Sequence, residues 1–204
     1  MLVRISIVFT CLLVLLAPSS SVYAQASGGK LTESKAKDLA KAQSDALQDR
    51  ISGLMKGLDE AELTHFMVMY TNYNMYSVVK AVRNDISNAV DGCSKNNPEM
   101  EEDLRAKFTK WDTNVGGSMK EVDGNIKSMA LAQDYISQNE LTLVYGLVDE
   151  TRALNSSQFE KTPVTTPEAC EFMISKMDET QENMIRLLSA TMQSYPNMLK
   201  KTQK

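Results

Sequence analysis

The chain has 204 residues, 22 Lys and Arg against 26 Asp and Glu, a formal net charge of −4 and a single histidine. An acidic balance argues against nucleic acid or an anionic membrane surface as partner, because both attract basic patches. With one histidine and no Gly-x-Ser-x-Gly, His-Glu-x-x-His, Walker loop or Cys-x-x-Cys pair, the usual hydrolase, zinc, nucleotide and thiol chemistries have no supporting motif. Glu62 and His65 match half of a di-iron bundle motif, and there is no second histidine to build the other half. The reading is a chain that is not an enzyme.

Residues 1–24 have the layout of a secretory signal peptide. Arg4 gives a positive start, Ile5 to Ala17 an apolar run, Pro18 and the serines a break, and Val22-Tyr23-Ala24 a small-residue cleavage site. The apolar run is too short to span a bilayer, and no later stretch offers an anchor. The implied location is periplasmic or extracellular. Cleavage leaves about 180 residues, a natural size for one domain with a good core. Only Cys93 and Cys170 then remain, and two cysteines in an exported chain most simply make one disulfide.

Residues 25–30 read as a flexible lead-in, 31–199 as one helical domain and 200–204 as a frayed tail. Thr32 is placed to cap a first helix ending near Gly57, with the stripe Ala36, Ala40, Leu47, Ile51, Leu54 and Leu58. Asp59 and Glu62 form a capping-box pattern that opens the next helix. That helix carries His65, Phe66, Met69, Tyr70, Tyr73 and Tyr76 and runs on to Cys93. Its first half is apolar all the way round, which places it, and residues 60–91 generally, at the centre of the molecule.

Asn97 is positioned to cap a third helix, with Pro98 at its first residue and Glu99, Glu101, Glu102 and Asp103 where the helix dipole favours negative charge. Steps of three and four from Met100 through Trp111 and Ile126 to Ile136 predict one long helix, with a skip at Gln133. Ser137 and Glu140 repeat the capping-box pattern and open a shorter helix over 138–154. The run Leu141 to Tyr145 has β propensity, but its caps and neighbours are helical. Residues 155–166 read as loop, with Asn155-Ser156-Ser157 a glycosylation acceptor. Thr166-Pro167-Glu168 opens a last helix striped by Cys170, Met173, Met177, Met184, Leu188 and Tyr195, and Pro196 is expected to end it.

The fold class is therefore all-α: an up-down antiparallel bundle of four to five helices with one long central helix and one disulfide. The lengths support it. The third helix falls about 58 Å, and the fourth helix plus an extended loop recover about that distance, returning the chain to Cys93 where Cys170 begins the last helix. His65 lies at the opposite end, among Met55, Met129, Tyr145, Met192, Tyr195 and Met198.

Two functions from different classes fit these residues. The first is non-catalytic binding or structural contact with a protein partner, a small apolar ligand or a second copy. Phe66, Tyr70, Tyr73 and Tyr76 form its candidate contact surface, since tyrosine suits a place where an apolar body meets a polar edge. This reading needs no cofactor. The second is binding of copper(I) or haem b through His65 with Met69, Met129 and Met192. Thioether and imidazole suit copper(I), and a His/Met pair can hold haem iron. His65 and Met69 share a helix face while Met67 points elsewhere. Methionine's habit of filling irregular cores competes with the metal reading.

Overall fold

A reciprocal capping box opens the long helix that starts at Glu60 and packs against three of the other helices. The Asp59 carboxylate accepts from the Glu62 amide, and the Glu62 carboxylate accepts from the Asp59 amide, each at 2.9 Å. Both amides belong to the helix start, where no intrahelical carbonyl can reach them. The computed structural model describes residues 33–158 and 163–202, with side chains given for 34–158 and 163–193. Its helices are α1 (Glu33–Met55), α2 (Glu60–Asn96), α3 (Glu101–Leu131), α4 (Gln138–Ser157) and α5 (Pro167–Thr202), with a 3₁₀ turn at Pro98–Met100. There is no strand among the described residues. The leader-like segment, the lead-in and the Thr32 cap lie outside the described residues.

Cross-helix pairs fix the directions. On α2 and α3, Asn72 meets Met129, Arg83 meets Asp112 and Asp91 meets Arg105, so numbers rise on one helix as they fall on the other. Lys107 and Lys110 of α3 both reach Asp178 of α5, and Asn114 reaches Gln181, so those two helices run parallel. Tyr73 stacks on Tyr145 and Asn74 holds Arg152, which makes α2 and α4 parallel. Gln43 with Glu150, and Arg50 with Glu140, set α1 antiparallel to α4. The result is the up-down bundle that the sequence predicts.

Two apolar clusters fill it. One joins Val79 and Val90 of α2, Leu104, Trp111, Val115, Met119, Val122 and Ile126 of α3, and Met177 and Leu188 of α5. The α3 members fall three, four or seven residues apart, so one face of that helix supplies half of this core. The other cluster gathers Phe66 and Met69 of α2, Met129 and Ala130 of α3, Ile136 and Leu141, and the end of α1 packs on it through Ile51, Leu54 and Met55. Each fully buried side chain of this kind contributes about 1.5–3 kcal/mol. Among the described residues of α1, only Ala40 is fully buried, and its main packing partner is α4.

Cys93 and Cys170 are joined by a disulfide that ties the last turns of α2 to the first turn of α5, with their Cα atoms 5.9 Å apart. The loop arriving from α4 is pressed against α2 here. A Cβ at Gly92 would meet the Val164 carbonyl at 3.2 Å, so glycine permits the approach.

Several boundaries differ from the sequence reading. Asn97 does not cap a third helix; its side-chain amide donates to the carbonyls of Cys93 (3.2 Å) and Thr165 (3.0 Å), closing α2 and holding the loop instead. The third helix stops at Leu131 rather than reaching Ile136. Gln133 turns the chain there, its amide donating to the carbonyls of Ala130 and Ile136 while its oxygen accepts from the Ile136 amide. Ile136 stays buried outside the helix. The fourth helix continues to Ser157, which puts Asn155 on a helical turn rather than in a loop. Pro196 does not end α5, which carries on to Thr202. A proline removes one backbone bond and bends a helix without always stopping it.

Candidate functional site

Tyr73, Ser77 and Lys80 are spaced four and three residues apart on α2, which lines them along one face. Asp149 of α4 lies opposite and accepts from all three: from the Ser77 hydroxyl at 2.6 Å, Lys80 Nζ at 2.7 Å and the Tyr73 hydroxyl at 3.2 Å. Arg152, one helical turn further along α4, donates Nε–H to the Ser77 oxygen at 3.0 Å and Nη2–H to both the carbonyl and the side-chain oxygen of Asn74. Ser77 is buried and serves both charges at once, accepting from the guanidinium and donating to the carboxylate.

Burial pushes the Asp149 carboxyl up, but hydrogen bonds from Lys80 and Ser77 and the charge of Lys80 outweigh it, so the group sits below the usual carboxylate range. The Tyr73 hydroxyl is driven well above its ordinary value, first by burial and then by the charge of Asp149. Tyr145, stacked on Tyr73 with ring centroids 3.9 Å apart, is pushed up by burial to about 12. Both phenols stay protonated at any physiological pH, so Tyr73 serves Asp149 as a donor.

Ser77, Lys80, Asp149 and Arg152 of this network line an open groove of about 560 Å³ between α2 and α4. Ala81, Asn84 and Asp85 line its α2 side, and Arg152, Ala153, Ser156 and Ser157 its α4 side. That volume falls in the range of small-molecule sites, which combine carbon surface with a few placed polar groups. The lining here is mostly carbon, with Lys80, Asp149 and Arg152 at fixed positions.

Of the residues singled out by sequence, Tyr73 belongs to this network and the others fall elsewhere. His65 is buried near the far end of α2, its Nδ1 2.7 Å from the Tyr135 hydroxyl and the two rings edge to face at 5.8 Å. Burial holds its pKa below the usual imidazole value. Met69 and Met129 pack together in the cluster that contains neighbouring Phe66. Met192 does not join them; it packs against the other cluster, because α5 runs beside α3 there. Met192 thus packs against a different cluster from Met69 and Met129. Tyr195 and Met198 lie outside the described side chains. Among the described residues, no three His, Cys, Asp or Glu side chains form a potential metal-binding group.

The proposed contact surface also needs correction. Phe66 is fully buried and belongs to the core, because its side of α2 faces α4 and the end of α3. Tyr70, Tyr73 and Tyr76 are half-buried. Among the described residues, the large apolar side chains that are exposed (Leu39, Leu131, Leu143 and Phe172) sit on four different helices. Sequence reasoning missed Asp149, Arg152, Ser77 and Tyr135. The first three were detectable as polar residues at helical spacing beside an apolar stripe; Tyr135 depends on the turn after Leu131, which the periodicity concealed.

Fold and groove together define a disulfide-closed helical bundle with a mixed apolar and charged cleft. No helix among the described residues is long and apolar enough to cross a membrane. Comparison with protein-family models, curated proteins and solved structures finds no match for this chain.

Proposed function

We propose that this protein works outside the cytoplasm as a non-catalytic binding module, and that the α2–α4 groove is where it takes a small ligand. The observation that carries this reading is the groove itself: about 560 Å³ of space whose exposed lining is largely carbon, with hydrogen-bonded charges in its wall. The network is built to stay put rather than to react. Asp149 is held as an anion by three donors, and Arg152 is fixed on α2 by Ser77 and Asn74. Fixed polar groups beside carbon surface orient a ligand at small entropic cost. The leader-like residues 1–24 and the Cys93–Cys170 bond both fit an oxidising compartment.

The uncharged dye N-phenyl-1-naphthylamine tests the groove, since its fluorescence rises in apolar surroundings. The folded protein should enhance it, and Ala153→Trp, which puts an indole into the groove from an exposed position, should remove most of that enhancement without lowering the melting temperature. Full enhancement in the folded Ala153→Trp protein would defeat the reading.

A further inference from the structure

The charges in the groove are equal in number but not equally engaged. Both Asp149 oxygens are taken, Oδ1 by Ser77 and Oδ2 by Lys80 and Tyr73. Asp85, the other acid in the lining, also has a partner. Arg152 differs. Its Nε–H goes to Ser77 and Nη2 serves the two oxygens of Asn74, all neutral acceptors, which leaves the two N–H groups of Nη1 without a partner among the described residues. No carboxylate of the described residues pairs with this guanidinium, although the chain is acidic overall and Arg50, Arg83 and Arg105 each have one. Three hydrogen bonds thus hold a half-buried cation in the wall of the groove with no described carboxylate paired directly to it.

We propose that the groove binds a small amphiphilic carboxylate, its head on Nη1 of Arg152 and its apolar body along Ala81 and Ala153. The proposal rests on the groove being the ligand site. It adds the chemical class of the ligand and the residue that reads it. An anion is favoured over a cation because the groove's acids are already engaged, whereas its arginine is bonded only to neutral oxygens. Asp149 does not repel the head strongly, since Lys80 is 2.7 Å from it and neutralises its charge. An apolar tail is favoured because most of the exposed area of the lining is carbon. With Nε and Nη2 committed, the head is held through Nη1 alone rather than in a two-pronged fork.

Calorimetric titration with decanoate, and with decanol as its uncharged counterpart, tests this on the full folded chain. Decanoate should bind at least tenfold more tightly than decanol. Arg152→Gln should weaken decanoate by roughly ten- to a hundredfold, as loss of a charge-assisted hydrogen bond implies, and weaken decanol far less. Ala153→Trp should weaken both. Equal affinity for the two probes, with both lost in Ala153→Trp, would overturn the carboxylate assignment and leave the groove as an apolar site. Undiminished preference for decanoate in Arg152→Gln would overturn the role of Arg152. Binding of both probes unaffected by Ala153→Trp, or no binding of either, would remove the groove reading and this proposal with it. Should Arg152→Gln not fold, the wild-type protein decides. Its decanoate affinity must fall with added salt while its decanol affinity does not, and a decanoate affinity indifferent to salt would count against the proposal.

Discussion

A buried imidazole governs how this chain answers mild acid. His65 is the only histidine, and burial lowers its folded-state pKa below the ordinary value of 6.5. The unfolded chain therefore takes up a proton as the pH falls through about 6.5, while the folded chain resists until a lower pH. The stability is complete above that value and is lost as the pH falls toward the folded-state pKa. Urea titrations at pH 7 and pH 5 should show a lower midpoint at pH 5 for the wild type and a much smaller difference for His65→Gln. Equal midpoints in the wild type would contradict the assignment. Asp112 and Asp149 have lowered pKa values and act in the same direction, but in a lower pH range, so their effect separates from that of His65. The sequence picked out His65 because it is unique. It could not supply Tyr135, whose position depends on where α3 stops.

At the scale of elements, the starts of α2 and α4 were readable from their caps, whereas the start of α3 and most helix ends were not. A start is announced by neighbours three residues apart, as Asp59 and Glu62 do for α2 and Ser137 and Glu140 do for α4. Even so, the carboxylate of Glu140 pairs with Arg50 of α1, a partner 90 residues away. Ends are set by what the chain meets next: Gln133 folds back on the Ala130 carbonyl, Asn97 reaches the Thr165 carbonyl, and α5 passes through Pro196. The disulfide was readable from compartment logic and helix lengths, because both cysteines fall at the same end of an up-down bundle. It closes a loop with a sequence separation of 77. Replacing both cysteines by serine should cost about 2–4 kcal/mol, seen as a lower urea midpoint with the helical circular dichroism retained. An unchanged midpoint would mean that the bond adds nothing to a junction already held by Asn97.

The five helices of the described residues are not equally secured. The helices α2, α3 and α5 share a core containing Trp111, whereas α1 lies chiefly on α4 and fully buries only Ala40 among its described residues. Elements with few buried contacts open first, so hydrogen exchange should find α1 amides exchanging well before those around Val79, Trp111 and Val115. Equal protection of α1 and α3 would show one cooperative unit instead. The up-down order was legible as a whole because helix lengths and loop reach admit few alternatives. The groove was not, since it arises from parallel neighbours that are far apart in sequence. The Cys93–Cys170 bond also has a mechanical meaning. If the chain is pulled from before α1 and from after α5, the load passes along α1 and α2, crosses the bond and leaves through α5. The segment carrying α3 and α4 hangs from that path as a slack loop. The groove then has one wall under tension and one wall free, so stretching reaches it through α2 alone.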